Sequence, residues 1–166
     1  MESTKYLKAR ELVAAPLLEG GLLLAVGAIG WAIGRPLLFA SLGPTAYEQI
    51  EQANRPSARP YNIIVGHYLA LGAGFLSLYA VNAWKAAEIS GAGGLPLPRL
   101  WASVIAVLMT VLGTLLFRAS QPAALSTSLL VTTGAFQGPQ GAAAILIAVA
   151  LIAVIGEPVR RIRKGR

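Results

Sequence analysis

Apolar residues run through this chain in long blocks. They do not form the one-sided helical stripes or alternating strands of a soluble core. Four blocks, roughly 17–34, 61–84, 100–117 and 140–156, approach the twenty or so residues that a bilayer crossing takes. A shorter piece lies between the first two blocks, and another between the last two. Residues 36–52 begin apolar, break at Gly43-Pro44 and turn polar. Residues 119–134 open on Ser120-Gln121-Pro122 and are rich in Ser and Thr. Neither is long enough to cross lipid as a free-standing helix. Irregular backbone survives at membrane depth only when protein or a wet cavity covers it. Each is therefore read as a re-entrant segment or broken helix, with a half-helix starting at a proline.

Punctuation supports this division. Pro16 suits the first turn of span one, where a missing N–H costs nothing. Arg35-Pro36 ends that span, and Glu157-Pro158 ends the fourth. Residues 53–60 form a polar, proline-bounded loop, and 85–98 a glycine-rich one. The order long, short, long then repeats, a weak internal repeat. Paired interrupted segments in matching positions point to a transporter's binding site; two short helices filling space in a small bundle is the plainer reading. Gly27, Gly30 and Gly34 on span one, and Gly66, Ala70 and Gly74 on span two, make small-residue faces for close packing.

Composition agrees. The chain is 55% hydrophobic, with a mean hydropathy of +0.63 and 13% charged residues, against about 25% charged in soluble proteins. The expected fold is an all-α polytopic membrane helix bundle. It has an amphipathic lead over 1–16, one transmembrane domain over 17–158 and a basic tail over 159–166. No small-residue cleavage site follows the first block, so it is read as a retained span. The net charge of +7 does not indicate nucleic acid. Arg160, Arg161, Arg163, Lys164 and Arg166 crowd the last seven positions, and Lys5, Lys8 and Arg10 the first ten. Basic ends suit cytoplasmic termini and anionic lipid headgroups, and hence a multi-pass inner (plasma) membrane protein. With four crossings the basic residues divide ten to four in favour of the side holding the termini; with six, eleven to three. Both counts place the termini in the cytoplasm and leave the crossing number open. Without cysteine there is no disulfide, thiolate chemistry or Cys-based metal site.

His67, the only histidine, lies about 9 Å into span two at 1.5 Å per residue. An ionisable group inside a span is a functional candidate, for proton relay or a switchable anion contact. A neutral histidine bonded to a neighbouring carbonyl or hydroxyl is the alternative. The second candidates are the two proline-led starts, Gly43-Pro44-Thr45 and Ser120-Gln121-Pro122. A helix N-terminus offers unpaired N–H groups and partial positive charge to an anion. Two such tips meeting near the midplane would make a dry anion site, with Ser41, Thr45, Ser126, Thr127 and Thr132 as further donors. Ordinary helix capping explains the same residues. Glu19 sits near the interface, and Glu48 and Glu51 are expected to face water. No nucleophile–base pair, P-loop or cofactor fingerprint appears, so neither an enzyme nor a cofactor is expected.

Three stretches carry a family resemblance: residues 39–47 (Phe-Ala-Ser-Leu-Gly-Pro-Thr-Ala-Tyr), 56–67 (Pro-Ser-Ala-Arg-Pro-Tyr-Asn-Ile-Ile-Val-Gly-His) and 121–124 (Gln-Pro-Ala-Ala). The chain resembles, over roughly residues 12–158, the HPP family of small integral membrane proteins. That family is named for a His-Pro-Pro motif after the third span, where this chain reads Gln121-Pro122-Ala123. No role of that histidine carries over. The usual Gly-Ala-Thr-Ala is replaced by Gly43-Pro44-Thr45-Ala46. The resemblance implies a helical membrane protein, and some photosynthetic members are implicated in nitrite transport. The expected function is thus passage of a small, nitrite-like anion, with His67, Gly43, Pro44, Thr45, Ser120, Gln121, Pro122 and Ser126 as substrate contacts, in a homo-oligomer. The alternative is a non-transporting scaffold or accessory subunit that uses its glycine faces as partner surfaces.

Overall fold

Each long apolar block folds as one helix, and each short piece is helical only in its later part. The computed structural model describes residues 9–88, 94–136 and 138–165. The helices are α1 (Ala9–Ala32), α2 (Leu42–Glu51), α3 (Pro60–Ala80), α4 (Leu97–Leu116), α5 (Ala124–Thr133) and α6 (Gly138–Arg163), with single 3-10 turns at Pro56–Ala58 and Ala83–Lys85. Residues 1–8 of the expected lead and 89–93 of the glycine-rich loop lie outside the described residues. α1, α3, α4 and α6 are each long and apolar enough to cross a membrane.

Two boundaries differ from the sequence reading. α1 begins at Ala9, ahead of Pro16, and α6 runs through Pro158 to Arg163. A proline inside a helix removes one N–H and crowds the carbonyl four residues back. Those carbonyls belong to Leu12 and Val154, both exposed. The last turns of α6 are also held from outside. Arg160 donates to the Ala53 carbonyl at 3.0 Å, and Arg163 to the Ile50 carbonyl at 2.7 Å.

Cross-links between the helix ends trace the path. Arg163 pairs with Glu11 at 3.0 Å and with Glu51 at 2.8 Å. The start of α1 and the ends of α2 and α6 therefore share one end of the bundle, the tail end. Arg35 reaches Gln140 at the opposite, far end (3.3 Å). Tyr61 at the start of α3 donates to the Phe117 carbonyl after α4 at the tail end (3.0 Å), and Arg99 of α4 donates to the Thr132 carbonyl of α5 at the far end (2.8 Å). The chain thus traverses the bundle six times. An extended arm (33–41) with α2 makes the second pass, and the arm before α5 with α5 makes the fifth. Each short helix, together with its arm, runs from one end of the bundle to the other. The first three passes and the last three run in opposite senses, an inverted repeat. Arg55, Arg59 and Arg118 fall at the tail end, and Arg35, Lys85 and Arg99 at the far end. Those six positions are the ones that the eleven-to-three division assumes.

The glycine faces explain how irregular arms survive at depth. A Cβ on Gly27 would lie 2.7 Å from Leu38, and one on Gly30 2.7 Å from the Arg35 carbonyl. The first arm is therefore laid against α1. On α3, a Cβ at Gly66 would lie 2.6 Å from Gln121, and one at Gly74 2.8 Å from Val131. α5 and its lead-in occupy that face. Gly34, expected on the same face of span one, instead lies past the end of α1 at positive φ with nothing against it, so the first stripe is filled from within the chain at Gly27 and Gly30 and the second at Gly66 and Gly74.

The natural absence of cysteine allows a direct test of the path. Cysteines replacing the exposed Asn54 and Lys85 should react with an impermeant maleimide from opposite sides of the membrane, Asn54→Cys from the side of the C-terminus. The reverse sidedness would restore a four-crossing path.

Candidate functional site

The first turns of the two half-helices meet in the middle of the bundle, beside α3. Ser41 precedes α2, and Thr45 follows one turn later on the same face. Thr127 occupies the matching turn of α5, and His67 projects from α3 between them. All four are completely buried. Ser41 Oγ lies 2.8 Å from Thr127 Oγ1. His67 Nδ1 lies 2.7 Å from Thr127 Oγ1, and His67 Nε2 3.0 Å from Thr45 Oγ1. The Thr45 hydroxyl donates to the Ser41 carbonyl at 2.8 Å.

Counting protons assigns the donors. A threonine hydroxyl has one hydrogen, and that of Thr45 goes to the Ser41 carbonyl. The Thr45 oxygen must therefore accept from His67 Nε2–H. Nδ1 of the neutral ring then accepts from the Thr127 hydroxyl, and Thr127 accepts from Ser41. The result is a closed chain from Ser41 through Thr127, His67 and Thr45 back to the Ser41 backbone. Buried polar groups demand such satisfaction. With a neutral ring each of these bonds has one donor and one acceptor, and both ring partners of His67 are threonine hydroxyls.

The tips meet, but through side chains and not through free amides. At the start of α5 the N–H groups of Ala124, Leu125 and Ser126 bond to the carbonyls of Gln121, Pro122 and Ala123 at 3.1–3.2 Å. A tightened first turn uses the donors that an open helix start would offer. At α2, Leu42 N–H bonds to Phe39 and Thr45 N–H to Ser41, and Pro44 has no N–H. Side-chain capping is not found either: Ser41 makes no cap bond, and α5 is preceded by Ala123. The Ser41 hydroxyl is spent across the helix–helix seam on Thr127.

The other expected contacts disperse. Pro44 and Pro122 are exposed and Gly43 is half-buried. Ser126, half-buried, takes no part in the cluster's bonds. Ser120 is exposed, and its carbonyl accepts from Asn62 at 3.1 Å. Gln121 is buried over Gly66, next in the chain to His67. Thr132 lies at the far end of α5 and contacts Ser103 at 2.8 Å. Glu48, expected to face water, is only 7% exposed, whereas Glu51 is exposed. Gln49, fully buried against Gly156 of α6, was not anticipated. The spacing Ser41, Thr45, Glu48 (i, i+4, i+7) marks one helical face and was the available signal for the burial of Glu48.

Arginines close the opposite ends of both half-helices. At α5, Arg99, 1% exposed, donates to the carbonyls of Thr132, Ala86 and Ala87. At α2, Arg163 donates to Ile50 and Arg160 to Ala53. Cations at helix C-termini match the unpaired carbonyls and the negative dipole end. Each half-helix is therefore pinned at its outer end and meets its counterpart at its inner one.

Residues 7–165 match the family profile described as HPP, transmembrane region. No curated protein and no solved structure matches the chain.

Proposed function

Since this chain belongs to the HPP family of transmembrane proteins, we propose that it carries a small inorganic anion, nitrite or one of similar size, across the bilayer. The observation behind this reading is the buried imidazole that joins the first turns of two half-helices in oppositely directed halves of the chain. Inverted repeats with interrupted helices at their interface are the architecture of alternating-access carriers. As folded here the centre is closed, with its donors committed to one another. Parting the Ser41–Thr127 contact would free the Ser41 hydroxyl, and turning Thr127 away from His67 Nδ1 would free a second donor, at two helix starts whose dipoles favour negative charge. A passing anion would take those donors, and the Thr45–His67 pair would hold the ring in place. We place the protein in the inner (plasma) membrane with cytoplasmic tails, on the basic-residue asymmetry, and expect anionic lipids at those tails and a homo-oligomeric assembly. The scaffold reading drew on the glycine faces as partner surfaces, and Gly27, Gly30, Gly66 and Gly74 of those faces pack against this chain's own residues.

Purified protein in liposomes should pass nitrite faster than protein-free liposomes, with nitrate and chloride as comparisons. Thr127→Val, which removes the shared hydroxyl, should bring the rate to background. Nitrite flux equal to that of empty liposomes across a range of pH would end this proposal.

A further inference from the structure

Toward the tail end, the same seam holds a buried acid that the transport reading leaves unused. Glu48 lies one turn beyond Thr45 on α2 and is 7% exposed. Its carboxyl faces the Ser57 hydroxyl of the first 3-10 turn and the Gln121 amide. Yet Oε2 of Glu48 and both amide atoms of Gln121, itself 3% exposed, make no hydrogen bond of ordinary geometry.

No cation is bonded to this acid among the described residues. On α6, Arg160 is held by Glu157 and the Ala53 carbonyl, Arg161 by Glu157, and Arg163 by Glu11, Glu51 and the Ile50 carbonyl. On α1, Glu11 is paired with Arg163 and Glu19 is itself an acid. On α3, His67 is engaged by Thr45 and Thr127. Arg55, beside the 3-10 turn, is exposed and acts on the carboxyl only through space. A carboxylate buried without a bonded cation is costly. A proton cancels that charge and makes Oε2 a donor, for which the unpartnered Gln121 Oε1 is an acceptor.

We propose that Glu48 is a proton-binding site that loads from the tail end, past the exposed Asn54–Pro56 loop, one helical turn from the His67 cluster. In the loading step a carboxylate oxygen forms an O–H bond with a proton from hydronium in the tail-side water, whose own O–H bond breaks to leave a water molecule, and no oxidation state changes. Resting on the transport reading above, the site supplies the coupling ion. A proton and a monovalent anion crossing together carry no net charge through the dry centre, which removes the desolvation cost of moving the anion alone.

Infrared spectroscopy of the protein in lipid tests the site without reference to transport. Near neutral pH a carboxylic C=O band that shifts in heavy water is expected, and it should vanish in the near-isosteric Glu48→Gln. Gln121→Lys, which places a cation at the carboxyl, should also abolish it while Glu48 remains. Absence of the band from the parent protein, or its survival in Glu48→Gln, overturns the site. In liposomes loaded with a pH dye, nitrite entry should acidify the lumen for the parent and not for Glu48→Gln. A band without nitrite flux leaves the proton site standing and removes the transport reading. Nitrite flux with no band and no acidification does the reverse.

Discussion

Replacing Arg99 with methionine is expected to destabilise the protein by about 3–5 kcal/mol, since three carbonyls lose a charged donor and hydrogen bonds to charged groups are worth roughly 1.5–3 kcal/mol each. The guanidinium donates to Thr132 at 2.8 Å, to Ala87 at 2.6 Å and to Ala86 at 2.7 Å. Methionine fills similar volume but donates nothing. Three carbonyls, one of them at the C-terminus of α5, would be left without their arginine donor. Because α5 has only ten residues, it has few other bonds with which to hold its position, and the loosening should reach Thr127 at its inner end. Lysine at this position keeps the charge but not the planar fork, so Arg99→Lys should fall between the two. Thermal unfolding in detergent measures all three forms. A methionine variant as stable as the parent would show that α5 is held by packing alone.

The second large effect is expected at His67. His67→Leu should cost about 2 kcal/mol, since one hydroxyl donor and one acceptor lose their partner in a closed site, moderated because membrane interiors reward such bonds less than expected. Nitrite flux should fall to that of empty liposomes. Glutamine distinguishes structure from chemistry: its amide can donate toward Thr45 and accept from Thr127, but it cannot carry an imidazole's proton. His67→Gln should therefore stay within about 1 kcal/mol of the parent, roughly one hydrogen bond, and retain most of the flux. Full stability with lost flux would mean that the ring itself is protonated during transport, contrary to the assignment of protons to Glu48.

Much of this arrangement could be read in advance from local features. The twenty-residue blocks, the two proline-led pieces and the small-residue faces on α1 and α3 each follow from contributions that add along a segment. Transfer of apolar residues to lipid is one, and close approach at glycine is another. The candidate hydroxyls Ser41, Thr45 and Thr127 and the depth of His67 were legible in the same way. The crossing number was not, because ten-to-four and eleven-to-three charge divisions both satisfy the same orientation rule. Nor were the arginine caps, whose acceptors sit on other elements, or the tightened turn that occupies the α5 amides.

The amino-acid sequence alone determined that this chain lives in a membrane, which segments enter it and where the interruptions fall, since burial in lipid is a property each segment has by itself. Only the tertiary structure decided that the interrupted helices and their arms run the length of the bundle, that Glu48 lies inside and that Ser41 meets Thr127, 86 positions away. Such pairings depend on which helical faces stack, and that is settled by the joint packing of all six helices around a seam whose polar groups can be satisfied only by one another.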